Sequence, residues 1–154
     1  MTEHEAAIAP ISEFRTQRRV EFADTDMAGI VHFARFFVYM ESAEHAMLRS
    51  LFGHEIHFQY EGQEIGWPRA RASCSYVSPA RLGDVLDIRV LIRRKGRRSM
   101  TYGFEIGCGE RKIAEGEVVT ICCVMDPKPM RSVDIPPPIA DRLAEFQPPA
   151  PAAG

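Results

Sequence analysis

The chemistry-bearing groups of this chain concentrate in one short run, Asp24-Thr25-Asp26-Met27-Ala28-Gly29-Ile30-Val31-His32. It stands directly before a long segment of helical periodicity, which begins at about residue 32. A helix leaves the backbone N–H groups of its first turn without intrahelical acceptors, and its dipole makes that end positive. Such an end suits an oxygen that gains negative charge during reaction. A carboxylate facing it across a gap can deprotonate a water or attack a carbonyl itself. A thioester fits, because its carbonyl is electrophilic and its thiolate leaves without a strong acid. The same residues also fit a second reading, a series of Asx turns that shapes a loop and caps the helix. A calcium loop is disfavoured by the missing glutamate and further oxygen ligands.

A second cluster is Arg93-Arg94-Lys95-Gly96-Arg97-Arg98-Ser99, with five cations in the first six residues. In a nearly neutral protein this is a local anion site. Guanidinium forks match phosphates such as those of coenzyme A. The alternative is a solvated hairpin tip whose charges deter edge-to-edge pairing. Single-stranded nucleic acid lacks a stacking platform here, because Tyr102 and Phe104 alternate as core residues. His32 could act as acid or base, and His45 stands mid-helix beside Glu44. Either histidine could equally be structural. Glu41 and Glu44 on the helix could supply a second carboxylate, and Trp67-Pro68 could line a pocket or simply pack.

The elements that must position these groups follow from periodicity. Residues 15–22 read as a strand, with Val20 and Phe22 alternating against Arg19 and Glu21. Phe33, Phe36, Phe37, Met40, Met47, Leu48 and Leu51 form a helical stripe from about residue 32 to 52. Val38 and Tyr39 add apolar surface off it, and Gly53 is a stop signal. The stretch to Gly66 has no clear pattern. Four period-two segments follow, over residues 71–76, 86–92, 99–106 and 112–125, punctuated by Gly83-Asp84, Lys95-Gly96 and Gly107-Cys108-Gly109. Residues 139–146 suggest a short terminal helix. One strand, one long helix and an antiparallel meander predict a sheet curled around the helix, an α+β architecture.

With 154 residues the chain has the size of one domain, able to bury roughly two-thirds of its surface. Residues 1–12 read as a flexible N-terminus, 13–146 as the folded domain and 147–154 as a disordered Pro/Ala tail. Nineteen basic and twenty-one acidic residues give a net charge of -2. No global field therefore draws the molecule toward nucleic acid or an anionic membrane. No apolar run approaches the ~18 residues of a membrane span, and the acidic start does not resemble a signal peptide. Cys74, Cys108, Cys122 and Cys123 show no metal-ligand spacing and read as reduced packing residues of a cytoplasmic protein. Neither a metal nor a separate cofactor is expected.

Four blocks in order resemble one family, the 4-hydroxybenzoyl-CoA thioesterase branch of the hotdog-fold proteins, in particular the YbgC/FadM-like acyl-CoA thioesterases. They are residues 20–31 followed by Ala34-Arg35-Phe36, then Tyr76-Val77-Ser78-Pro79-Ala80-Arg81-Leu82-Gly83-Asp84, Arg97-Arg98-Ser99, and Cys122-Cys123-Val124-Met125-Asp126-Pro127. The resemblance spans about residues 18–136. It implies a hotdog subunit that pairs through a continuous sheet into a dimer, often a tetramer, with sites at the dimer interface. It also implies hydrolysis of an acyl-CoA, with Asp26 as base or nucleophile and the backbone N–H near Phe33 polarising the carbonyl. Arg97, Arg98 and Ser99 would contact coenzyme A phosphates. Many relatives carry an aromatic followed by His or Tyr where this chain has His32-Phe33. Either His32 substitutes from one residue earlier, or Asp26 works without it; the second is favoured here. Two other readings stay open: a hotdog hydratase or dehydratase, for which no Asp/His pair is evident, and a non-enzymatic acyl-CoA or acyl-carrier-protein binding module.

Overall fold

The computed structural model describes residues 8–53 and 58–152. Parts of the two expected flexible ends, residues 1–7 and 153–154, lie outside the described residues. The elements in chain order are β1 (Glu13–Arg19), a 3-10 turn (Phe22–Asp24), α1 (Arg35–Phe52), β2 (Phe58–Tyr60), β3 (Gln63–Gly66) and β4 (Arg69–Tyr76). They continue with β5 (Val85–Lys95), β6 (Ser99–Cys108), β7 (Arg111–Ile121), β8 (Cys123–Asp126), β9 (Arg131–Ser132) and α2 (Pro137–Ala140). Five strands form an antiparallel sheet in the order β1-β5-β6-β7-β4, and four short ones form a second in the order β2-β3-β8-β9. The larger sheet curls around α1, whose 18 residues contact β1, β5 and β4. This is the expected α+β hotdog architecture.

Alternation decides which strand face meets the helix. Met100, Tyr102, Phe104 and Ile106 of β6 are buried, and so are Leu86, Ile88, Val90 and Ile92 of β5. They lie in register, with Ile88 opposite Ile106 and Val90 opposite Phe104. From α1 the chain buries Phe36, Tyr39, Met40, Ala43, Met47 and Leu48. Tyr39, expected off the stripe, is fully buried because the curled sheet covers more than one side of the helix. Gly116 of β7 lets the helix approach, since a Cβ there would collide with the Met40 thioether and lie 2.9 Å from the Ser73 carbonyl oxygen.

Several boundaries differ from the expectation. The first strand ends at Arg19, because Val20 instead exchanges backbone bonds with Gly83 and Asp84 and the chain then enters the 3-10 turn. The helix starts at Arg35 rather than near His32, so His32 and Phe33 precede it; Phe33 is exposed rather than part of the stripe. The last long strand breaks at Cys122. The Cys122 N–H bonds to the Arg98 carbonyl, its own carbonyl accepts Val133 N–H, and the chain crosses from one sheet to the other. The stretch before Gly66 supplies β2 and β3 of the second sheet. The terminal helix is one turn at residues 137–140, after which Leu143 enters the core beside Ile11. Ile11 and Ser12 are fastened by backbone bonds to Arg142, Ala144 and Ile92.

Candidate active site

Asp24, not Asp26, is the buried acid of the signature loop, with its side chain 2% exposed. Its Oδ1 accepts Arg35 Nε at 2.9 Å and Nη2 at 2.7 Å, and its Oδ2 accepts the Glu21 N–H at 2.9 Å. Its backbone carbonyl accepts the His32 N–H at 2.8 Å. Burial alone would raise the pKa of this carboxyl. The Glu21 N–H and the Arg35 guanidinium outweigh that and hold it below the usual carboxylate value. Asp24 thus ties both roots of the loop to the first turn of α1.

The loop between those roots is a tight reversal. Thr25 bridges Val31, the Asp26 N–H donates to the Ile30 carbonyl, and Gly29 at φ 76° donates to the Asp26 carbonyl. Only glycine takes that conformation without strain. Asp26 Oδ1 accepts the Ala28 N–H at 2.8 Å, which is an Asx turn. The loop-shaping reading of this motif is therefore realised, and it presents the remaining Asp26 oxygen, Oδ2, at the exposed tip of the loop.

At the head of the helix the N–H groups are not equivalent. Arg35, Phe36 and Phe37 donate to the carbonyls of His32, Phe33 and Ala34, and the Ala34 N–H donates to His32 Nδ1 at 3.3 Å. The Phe33 N–H has no acceptor among the described residues. The Tyr76 hydroxyl donates to the Phe33 carbonyl at 3.0 Å and so holds the next peptide group, between Phe33 and Ala34. His32 spends Nδ1 on Ala34 and packs its ring against Phe33 at 4.7 Å between centroids.

The block around Pro79 anchors this assembly. Ala80 accepts the Val31 N–H at 2.8 Å, and Asp84 accepts the Val20 N–H through its backbone. The Asp84 carboxylate also takes Arg81 N–H and Arg111. The block is a latch under the loop.

The basic turn is placed elsewhere. Arg98 Nε donates to Asp134 Oδ1 at 2.9 Å, and Arg97 Nε lies 3.4 Å from the same oxygen. Ser99 opens β6 and its carbonyl accepts the Gly96 N–H. In register, Ser99 faces Ile121 at one end of the sheet, while Ile106, Ala114 and Tyr76 align at the other. Seven residues of strand separate the ends, ~23 Å at ~3.3 Å per residue. Asp26 and Phe33 thus stand on one loop, between the 3-10 turn and α1, and Arg97, Arg98 and Ser99 lie toward the other end of the sheet within one chain.

Sequence reasoning missed Tyr76, Asp24 with Arg35, and Asp134. Tyr76 carried no role beyond its place in the alternating segment of residues 71–76, and the edge position of β4 leaves it exposed. Glu44 is buried and pairs through Oε1 with Arg69 at 2.9 Å, while its Oε2 has no partner among the described residues. Burial raises its pKa against the opposing pull of Arg69. Glu41 lies 3.7 Å from the same guanidinium. Neither glutamate stands at the head of the helix.

The surroundings of Asp26 are open in one chain. Met27 is fully exposed, Phe33 63% and Tyr76 48%. An open concavity of ≈ 660 Å³ lies instead on the outer sheet face, lined by Arg15, Gln17, Arg89, Glu105 and Arg111 among others. No described helix is long and apolar enough to cross a membrane.

The thioesterase superfamily model matches residues 28–122, a stretch that begins two residues after Asp26. The chain is 30% identical over 138 residues to the acyl-CoA thioester hydrolase YbgC of Escherichia coli O6:H1, covering 87% of this chain and 96% of that protein. It is 27% identical over 114 residues to the 1,4-dihydroxy-2-naphthoyl-CoA hydrolase of Synechococcus elongatus, with 73% and 82% covered. Among solved structures, BH1999 gentisyl-coenzyme A thioesterase superposes with a TM-score of 0.72 at 26% identity, over 85% of this chain and 100% of that one. The chain belongs to the thioesterase superfamily, as a hotdog-fold thioester hydrolase.

Proposed function

We propose that the chain hydrolyses acyl-CoA: water and the thioester give a carboxylic acid and free coenzyme A. The observation that carries this reading is the Phe33 N–H, which has no acceptor among the described residues, lies at the head of α1 and shares its loop with Asp26. The N–H would receive the oxyanion as the carbonyl carbon becomes tetrahedral, worth about 3–4 kcal/mol in comparable sites. Asp26 would act through Oδ2, either taking a proton from water or attacking the carbon itself. The thiolate then leaves with the electron pair; in the route where Asp26 attacks, water next cleaves the acyl–Asp26 anhydride, releasing the carboxylic acid and restoring the aspartate. His32 has one ring nitrogen already occupied, which supports the reading in which Asp26 works without it. No metal or separate cofactor enters this scheme.

A second copy of the chain completes the site in this reading. β4 is a sheet edge with unpaired backbone groups, and exposed Met27, Phe33, Tyr76 and Val77 flank it with apolar surface. Two-fold antiparallel pairing of β4 with its copy sets the Arg69 end of one strand beside the Tyr76 end of the other. The Arg69 end lies in register with Thr120 and Met100, next to the basic turn. A coenzyme A anchored on Arg97, Arg98 and Ser99 of one subunit would then reach Asp26 of the other. A dimer is the minimum assembly, and a tetramer can be built from two of them. We assign the protein to the cytoplasm on its cysteine usage, with Cys122 and Cys123 serving as buried packing residues.

The test is a panel of short, long and aromatic acyl-CoAs with thiol release as the readout. Asp26→Asn should retain the fold by circular dichroism and lose at least about 100-fold in turnover. Hydrolysis at the wild-type rate by that variant would sink the assignment.

A further inference from the structure

We infer that Asp134 is a positioning residue for the coenzyme A phosphates, gathering Arg97 and Arg98 into one pre-formed anion receptor. The inference rests on the acyl-CoA reading above and concerns a residue outside all the sequence blocks that carried it. One carboxylate oxygen, Oδ1, meets both guanidinium groups, Arg98 Nε at 2.9 Å and Arg97 Nε at 3.4 Å. Both contacts are made through Nε. The terminal nitrogens, which form the fork that grips a phosphate, make no hydrogen bond among the described residues. Two adjacent guanidinium groups repel each other. A single negative charge shared between their inner edges offsets that repulsion and leaves a net positive pair facing outward.

The backbone that carries the carboxylate is itself held in place. On one side of Asp134 the Val133 N–H donates to the Cys122 carbonyl at 2.9 Å; on the other the Ile135 N–H donates to the Arg97 carbonyl at 2.9 Å. Cys122 is fully buried and its N–H donates to the Arg98 carbonyl at 2.7 Å. Backbone bonds therefore run from both arginines to the segment that carries the acid. Arg98 beside it holds the Asp134 carboxyl below the usual value, so it stays charged at neutral pH.

Its purpose is not global stability. Arg97 is 76% exposed, Arg98 48% and Asp134 60%, and exposed ion pairs contribute little to folding. What the arrangement supplies is pre-organisation: the arginines are gathered before the ligand arrives, so less side-chain freedom is lost on binding. A carboxylate that merely competed with phosphate would have the opposite effect, and its removal would tighten binding.

The experiment is calorimetric titration of the full-length protein with coenzyme A, 3′-dephospho-CoA and pantetheine. It compares wild type, Asp134→Ala, Asp134→Asn, Arg98→Ala and the double variant Asp134→Ala/Arg98→Ala. We expect Asp134→Ala to weaken coenzyme A binding about 5- to 20-fold, pantetheine binding to be unaffected, and the melting temperature to stay close to wild type. Asp134→Asn, which keeps an acceptor oxygen without the charge, should fall between. The double variant should bind little worse than Arg98→Ala alone, because the acid acts through the arginines. Unchanged or tighter coenzyme A binding in Asp134→Ala, or an equal loss for pantetheine, overturns the inference. Binding is read without turnover, so a wild-type protein that binds coenzyme A but cleaves no acyl-CoA would refute the hydrolase reading separately.

Discussion

The Tyr76 hydroxyl donates to the carbonyl oxygen of Phe33 at 3.0 Å, reaching across from the edge of the sheet to the head of α1. It grips one end of the peptide group that follows Phe33, while the Phe33 N–H on the near side has no acceptor among the described residues. Tyr76→Phe removes this bond without emptying any space, and the ring keeps its edge contact with Phe36 at 5.4 Å. A hydrogen bond of this kind is worth about 0.5–1.5 kcal/mol. Turnover of the best acyl-CoA should fall about 2- to 10-fold with little change in KM. Steady-state kinetics on the variant checks this, and an unchanged kcat would remove Tyr76 from the positioning of the oxyanion donor.

Asp24 makes the loop sensitive to acid. Its carboxyl is held below the ordinary aspartate value of 3.8, since the Glu21 N–H and Arg35 outweigh burial. A depressed folded-state pKa adds stability at pH well above 3.8, and that contribution is lost as the pH falls from 3.8 through the lower folded value. Asp24→Asn should cost about 1.5–3 kcal/mol at neutral pH, because it takes a charged partner from a half-buried Arg35. The variant should also lose less stability than wild type on acidification. Denaturant melts at pH 7 and pH 3 measure both effects.

Two of the strand glycines, Gly116 and Gly103, should respond differently to an added methyl group. At Gly116 a Cβ meets Met40 and, at 2.9 Å, the Ser73 carbonyl oxygen, which is backbone and cannot swing away. Gly116→Ala should cost about 1–3 kcal/mol as helix and strand are forced apart. At Gly103 only the flexible Arg93 side chain is in the way. Gly103→Ala should therefore cost less than about 1 kcal/mol. Thermal unfolding of the two variants side by side decides the ranking.

Val77, 56% exposed just past β4, lies on the apolar edge assigned to a second copy. Placing a charge there puts two carboxylates near each other across a two-fold axis, where desolvation and repulsion both oppose pairing. Val77→Asp should shift the protein toward monomer in light scattering and reduce turnover in step with the loss of assembly. Wild-type activity in a monomeric variant would separate catalysis from pairing.

Much of this molecule can be read along the chain. The alternation in residues 86–92 and 99–106 and the stripe from Phe36 to Leu48 depend only on local periodicity, and those elements form where the pattern places them. Gly53 ends the helix in the left-handed conformation its residue type favours. Boundaries failed where long-range bonds compete with local pattern. Val20 is drawn off β1 by Gly83 and Asp84, and Cys122 breaks a continuous apolar run because Arg98 and Val133 claim its backbone.

The site divides in the same way. Residue types and spacing marked the loop of residues 24–32 and the basic turn as places where chemistry could happen, with a loop-shaping reading beside the catalytic one; the family resemblance then pointed to Asp26 and the Phe33 N–H within them. Which of the two loop aspartates is buried was decided only in three dimensions, when Arg35 folded back onto Asp24 and left Asp26 at the tip. The partners Tyr76 and Asp134 lie 43 and 36 residues away from the groups they touch. No periodicity links residues so far apart; strand register and the crossing at Cys122 bring them together.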